Sequence, residues 1–221
     1  MPATNYTTEY DLEQQPTLLF EEKEIPLTAR EWQRLTQLLA ESEYQHIVKG
    51  DVNEKHSVWV SRYHNDVTAP EALNVLSGDI EAIVMSPKMR AFYQRFTGTD
   101  QLCLRRCQAN RLQKGDYIGW HKDQDSSSEY LATIVFHFGD CYTGGTFQTA
   151  DKKTSVRSFK PGVHMALVNS CTIPHQVSEV ESGERLTLAC FLSTSFVANK
   201  KARHAFRTDH KKSTFRVRNL G

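Results

Sequence analysis

The chain has 221 residues, 39% hydrophobic and 24% charged, with a formal net charge of +1, which is the profile of one ordinary globular domain with room for a sizeable core. No apolar run approaches the ~18 residues of a membrane span, and no charged-then-apolar leader is visible, so the sequence argues against a membrane or secreted protein. Five cysteines, Cys103, Cys107, Cys141, Cys171 and Cys190, include no C-x-x-C pair and are odd in number, which reads as reduced, mostly buried thiols in a cytoplasmic protein.

Residues 1–17 lack periodicity and read as a loose arm or an edge strand. Leu18-Leu19-Phe20 suggests a short strand. Thr28, with Glu31 three residues on, has the spacing of a reciprocal helix cap, and Trp32, Leu35, Leu38 and Leu39 follow at helical spacing. Segment 44–68 is polar, aromatic and histidine-rich. It reads as a hairpin or loop carrying surface histidines His46, His56 and His64, or as a lid over a site. Helical spacing resumes over 70–97, with Ala72, Leu73 and Leu76, then Met89, Phe92 and Phe96. Pro87 after Ser86 marks a helix start, and Gly98 a stop.

From Leu102 the pattern changes to short strands separated by Gly, Pro or polar turns: LCLRRCQANRL, LATIVFHF, GGTFQTA, TSVRSF, HMALVN, HQVSEV and RLTLACFLS. Helices followed by consecutive strands predict an α+β fold with a jelly-roll core. We expect one domain over 1–198, with helical support at about 27–97 and a jelly roll at about 102–195. The basic tail, 199–221, holds eight Lys or Arg against Asp209, a formal +7 that leaves −6 for the rest. Such a tail fits a solvated or docked segment balancing an acidic body; the other reading is contact with nucleic acid, which nothing else in the chain supports.

The stretch Asn110–Asp123 ends in His121-Lys122-Asp123. Side chains two apart at a strand exit lean toward one point, so one imidazole and one carboxylate can converge there. His175, further on, can supply a second imidazole. Two histidines and a carboxylate make the facial triad of non-heme Fe(II) oxygenases, whereas thiolates would indicate zinc.

The ordered set of H-x-D, the turn Gly144-Gly145-Thr146-Phe147, Pro161-Gly162 and His175 with Arg185 ten residues later resembles the 2-oxoglutarate/Fe(II)-dependent dioxygenases, most of all their prolyl-4-hydroxylase-like branch. The resemblance covers about residues 102–195 and implies a double-stranded β-helix. It also implies Fe(II) on His121, Asp123 and His175, with 2-oxoglutarate and O2 as co-substrates. Arg185 is expected to hold the far carboxylate of 2-oxoglutarate through its guanidinium fork, and Thr187, on the same strand face, to add a hydroxyl. In the halogenating relatives Gly or Ala replaces the carboxylate ligand, so Asp123 favours hydroxylation. One departure is Leu112, where the branch pattern implies a tyrosine nine residues before the first ligand.

Strand parity places Leu104, Arg106, Gln108, Asn110 and Leu112 on one face and Leu131, Thr133, Val135 and His137 on another. Arg106, Gln108 and Asn110 are candidates for substrate or the inner end of 2-oxoglutarate, if that face points inward. Thr133 and His137 either fix ligands or are core polar groups. Gln124 and Asp125, in the polar loop after the H-x-D, are candidates to touch substrate, although a plain surface loop explains them as well. The expected reaction is hydroxylation of an sp3 carbon of a free amino acid or similar small polar metabolite, with release of succinate and CO2. The alternatives are a prolyl or other residue in a peptide or protein and, in another class, a jelly-roll binding module without catalysis.

Overall fold

A computed structural model describes residues 8–51, 53–65, 71–73, 75–139, 141–150 and 155–195. The first half contains β1 (Thr17–Phe20), α1 (Ala29–Ala40), β2 (Gln45–Lys49), β3 (Lys55–Asn65), β4 (Glu71–Ala72), α2 (Ser77–Val84), α3 (Pro87–Thr97), β5 (Cys103–Leu112) and β6 (Tyr117–His121). The second contains α4 (Asp123–Ser126), β7 (Ala132–His137), β8 (Tyr142–Gly144), β9 (Phe147–Ala150), β10 (Val156–Phe159), β11 (Ala166–Ser170), β12 (His175–Val177), β13 (Val180–Gly183) and β14 (Arg185–Ser193).

The helices form where the local chemistry dictates. The Glu31 amide donates to Thr28 Oγ1 at 3.3 Å while the Thr28 amide donates to Glu31 Oε2 at 2.7 Å, closing the cap of α1. Trp32, Leu35, Leu38 and Leu39 are then fully buried, each worth about 1.5–3 kcal/mol of transfer. Pro87 opens α3, and Gly98 ends it in the left-handed region at φ 69°.

All strand pairs are antiparallel. One sheet runs β1-β11-β7-β14-β5-β3, and β3 also pairs β6, which leads through β12 and β9 to β10. The long strand β3 therefore joins two faces of a curled sheet, the double-stranded β-helix. Alternation along its strands assigns the two sides. Leu188 and Cys190 of β14, Ile134 and Phe136 of β7 and Cys107 and Ala109 of β5 pack with Trp32, Leu35, Phe92 and Tyr93 of the helices. Their alternate neighbours, Thr187 and Ala189, Thr133 and Val135, Gln108 and Asn110, line an interior cavity. Among the described residues no helix is long and apolar enough to cross a membrane.

Several expectations are corrected. Ala72 and Leu73 are not helical: Ala72 pairs with His64, and the Leu73 amide donates to the Tyr63 carbonyl at 2.8 Å. The backbone is committed to the edge of β3 there, so α2 starts only at Ser77. His64 and His56 are not surface histidines; their side chains are 2% and 9% exposed, paired with Glu81 and Glu54. Leu104 leaves the face of Arg106 because the β5–β14 register shifts at Arg105, and it joins the helix-side core. Residues 8–16 are turns and bends leading into β1. The tail 199–221 lies outside the described residues.

Candidate active site

The cavity between the two faces of the sheet has a volume of about 110 Å³. His121 ends β6 and His175 begins β12, and the two are direct cross-strand partners with ring centroids 4.3 Å apart. Asp123 starts α4 one residue past the strand exit. Its Oδ1 is 3.6 Å from Nε2 of each histidine, and the three donor atoms lie within 4.8 Å of one another.

Each donor is aimed by a neighbour. The Gly119 carbonyl, 2.8 Å from His121 Nδ1, and the Ile173 carbonyl, 2.9 Å from His175 Nδ1, can only accept, so both Nδ1 atoms donate and both Nε2 lone pairs face the centre. Thr133 Oγ1 donates to Asp123 Oδ2 at 2.5 Å. Burial pushes the Asp123 carboxyl upward, but His175, His121 and Thr133 outweigh it and hold it at about 2, an ionised carboxylate. Cys171 touches Thr133, yet burial first and the Asp123 charge second push its thiol well above the ordinary range. A buried set of two imidazoles and one carboxylate without thiolate fits Fe(II).

The opposite end of the cavity is built around Arg185, which is 2% exposed. Its cross-strand partner is Leu112, so the position where the branch pattern implies a tyrosine faces this arginine. The phenol comes instead from β8: the Tyr142 hydroxyl sits against the guanidinium without completing a hydrogen bond to it. Arg185 Nε, the Tyr142 hydroxyl and both ring nitrogens of His137 are buried with no partner. Burial, then the Arg185 charge, hold His137 far below the usual imidazole range, so it is neutral. Thr187 lies between Asn110 and His137 in register and donates to the Asn110 carbonyl at 3.4 Å. Gly145 lets this cluster close, since a Cβ there would stand 3.2 Å from Arg185 Cδ and 3.1 Å from the Tyr142 ring. A cluster of orphaned donors this deep matches a carboxylate, which offers four lone-pair sites.

Arg106, Gln108 and Asn110 do point inward, joined in a hydrogen-bonded row: Arg106 Nε to Gln108 Oε1 and Gln108 Nε2 to Asn110 Oδ1, both 2.9 Å. Thr133 donates to Asp123, one of the candidate ligands. His137 does not, because it belongs to the Arg185 end. Gln124 and Asp125 do not line the cavity: Gln124 donates to the Tyr130 carbonyl, and Asp125 caps α4. The β2–β3 hairpin contributes a wall that was legible only as a lid, with Lys49, Asp51, Glu54, His56 and Arg62 on the lining. There the Gly119 amide donates to His56 Nδ1 at 3.1 Å, leaving Nε2–H for Glu54 at 3.1 Å. Tyr142 and Arg62 were missed. Tyr142 stands in a turn-rich stretch without alternation, and Arg62 becomes visible only once β3 is paired with β5.

The family model described as the 2OG-Fe(II) oxygenase superfamily matches residues 107–193. A 2OG-Fe(II) oxygenase-family oxidoreductase from Burkholderia pseudomallei is 27% identical with TM-score 0.78, over 86% of this chain and 90% of that one. A Pseudomonas putida prolyl-4-hydroxylase is 14% identical with TM-score 0.57, over 82% and 94%. The epimerase SnoN, in complex with Fe3+, alpha ketoglutarate and nogalamycin RO, is 11% identical with TM-score 0.60, over 82% and 80%. No curated protein matches the sequence. With a His-Asp-His cluster in a double-stranded β-helix, the chain is similar over residues 107–193 to the 2OG-Fe(II) oxygenase superfamily and is a dioxygenase that uses Fe(II), 2-oxoglutarate and O2.

Proposed function

We propose that His121, Asp123 and His175 ligate the Fe(II), that Arg185 with Thr187 holds the distal carboxylate of 2-oxoglutarate, and that the enzyme hydroxylates an sp3 carbon of a free amino acid or similar small polar metabolite. The observation that carries this reading is the polar row Arg106-Gln108-Asn110 inside the cavity. These three, with the carboxylates of Asp51 and Glu54 nearby, offer one cation and two amides for a carboxylate and anions for an amine.

When bound, Fe(II) and 2-oxoglutarate supply the oxidation of the C–H bond, with release of succinate and CO2. The chain supplies position and dryness. The two Nδ1 bonds and Thr133 keep the three donors aimed without reorganisation. Arg185, Tyr142 and neutral His137 exchange an unsatisfied, desolvated state for bonds to one carboxylate, which selects a dianion of defined reach. Phe147 stacks on His175 at 5.2 Å and shields that side of the site from water.

The test is to incubate the Fe(II)-loaded protein and 2-oxoglutarate with each of the twenty free amino acids. We expect a product heavier by one oxygen atom and an equal amount of succinate. Turnover on a proline-containing peptide, with none on any free amino acid or small metabolite, would replace this reading with residue hydroxylation in a peptide or protein.

A further inference from the structure

A second basic locus lies at the end of the cavity away from Arg185. Register fixes its place. Along β14, Arg185 faces Leu112 whereas Phe191 faces Arg106, six residues apart, about 20 Å of strand. Arg106 and Arg185 are therefore separate basic groups toward opposite ends of β14. On its other side Phe191 pairs with Thr133, the residue that holds Asp123, so Arg106 lies in the same cross-sheet row as the metal cluster. Arg62 stands next to it, on β3 opposite Gln108.

Arg106 pairs with one carboxylate on the hairpin, whose charge Arg62 also feels. Arg106 Nη1 donates to Asp51 Oδ2 at 2.8 Å, and Ser126 Oγ donates to the same oxygen at 3.0 Å. Arg106 is 13% exposed and lies over the Phe191 ring at 5.4 Å, which fixes the plane of its fork; Asp51 is 47% exposed at the tip of a turn. A half-buried, oriented cation is thus matched by an anion half in water. Burial first, then the charge of Arg106, lower the Arg62 guanidinium, and Asp51 opposes both. Charge counting over the described lining agrees. Lys49, Arg62, Arg106 and Arg185 stand against Asp51, Glu54 and Asp123, so once Arg185 meets the co-substrate and Asp123 the metal, one positive charge remains.

We infer that Arg62 and Arg106 form a carboxylate subsite for the substrate, and that the Asp51 carboxylate occupies it until a substrate carboxylate takes its place. This rests on the small-metabolite reading above and deepens it: the enzyme requires a free carboxylate and rejects the same compound as an ester. Planar, bidentate recognition by paired guanidinium groups is the chemistry that makes this distinction.

Two measurements test it. With Fe(II)-loaded protein, free amino acids drive succinate formation and their methyl esters do not. R62Q and R106Q raise KM for the acid by about tenfold or more while the Kd of 2-oxoglutarate stays within about twofold, and D51N lowers KM. Esters turning over as well as acids, or 2-oxoglutarate binding falling as far as substrate binding, overturns the subsite. The second measurement assumes nothing about the substrate. Acetate titrated into Zn(II)- and 2-oxoglutarate-loaded protein shifts the Nε–H resonances of Arg62 and Arg106, and R62Q weakens the shift at Arg106. If peptides alone are hydroxylated but acetate still moves both signals, the metabolite reading falls and the anion subsite stands. Unmoved signals at about 100 mM acetate overturn it.

Discussion

The two ends of the cavity are built on different principles. At the Arg185 end Arg185, Thr187 and His137 come from strands held in register by Leu112 and Asn110 in adjoining rows, and Tyr142 joins them from β8. Arg185 Nε, the Tyr142 hydroxyl and the His137 ring are buried there and unsatisfied. At the mouth, Lys49, Asp51 and Glu54 come from one hairpin, and the Asp51 carboxylate there is half in water. Chemistry common to a superfamily belongs on central strands, where position is over-determined. Choice of substrate belongs near an exposed turn such as the one carrying Asp51 and Glu54, because a turn changes without disturbing the barrel.

The most severe way to break this comparison is at the metal. His175→Ala or His121→Ala should abolish stoichiometric iron binding and all turnover, read by metal analysis and succinate formation. Full 2-oxoglutarate turnover in His175→Ala would place the ligands elsewhere. Next comes the anion end. Arg185→Ala removes a charge-assisted pair of ~1.5–3 kcal/mol, so 2-oxoglutarate should bind about ten- to a hundredfold more weakly. Iron affinity should hardly change. Equal losses of both would mean that the two loci act as one.

The contrast between the ends also explains what the sequence discloses. The His121-Asp123-His175 cluster was legible because H-x-D, a distal histidine and an arginine ten residues on form an ordered pattern, and strand parity alone turned Arg106, Gln108 and Asn110 inward. Leu104 was misplaced because a bulge at Arg105 breaks parity without a glycine to announce it. Ala72 and Leu73 mimic helical spacing, and pairing to the edge of β3 overrides it. The hairpin wall was invisible as chemistry, since Asp51, Glu54 and Arg62 acquire meaning only from long-range pairing of β3 with β5.

A smaller effect sharpens the metal end. Thr133→Val keeps the shape of the side chain and removes the donor to Asp123. Positioning groups of this kind contribute about ten- to a hundredfold in metal affinity, and we expect the lower figure because both histidines keep their own carbonyl partners. Iron affinity unchanged in Thr133→Val would show that the buried carboxylate is held by packing alone.

The smallest effect is a pH dependence of stability at the anion end. His137 is neutral in the folded protein because burial, and then the Arg185 charge, depress its pKa well below the ordinary value of about 6.5. The unfolded chain regains that ordinary value. Below about pH 6.5 the unfolded state therefore binds a proton that the native state refuses, so stability falls as pH drops and is flat above. One such group contributes a slope of at most ~1.4 kcal/mol per pH unit. His175, depressed by burial in the metal-free protein, adds to the same window, and His121, raised by Asp123 against burial, opposes it. Those two are shared by wild type and His137→Gln, so the difference between their slopes isolates His137. Urea unfolding of metal-free protein at several values between about pH 5 and 7.5 should show a shallower fall for His137→Gln, whatever its absolute stability. Parallel curves would mean that His137 is protonated beside Arg185 in the native state, and its place in a carboxylate-binding cluster would then rest on charge rather than on neutral hydrogen bonding.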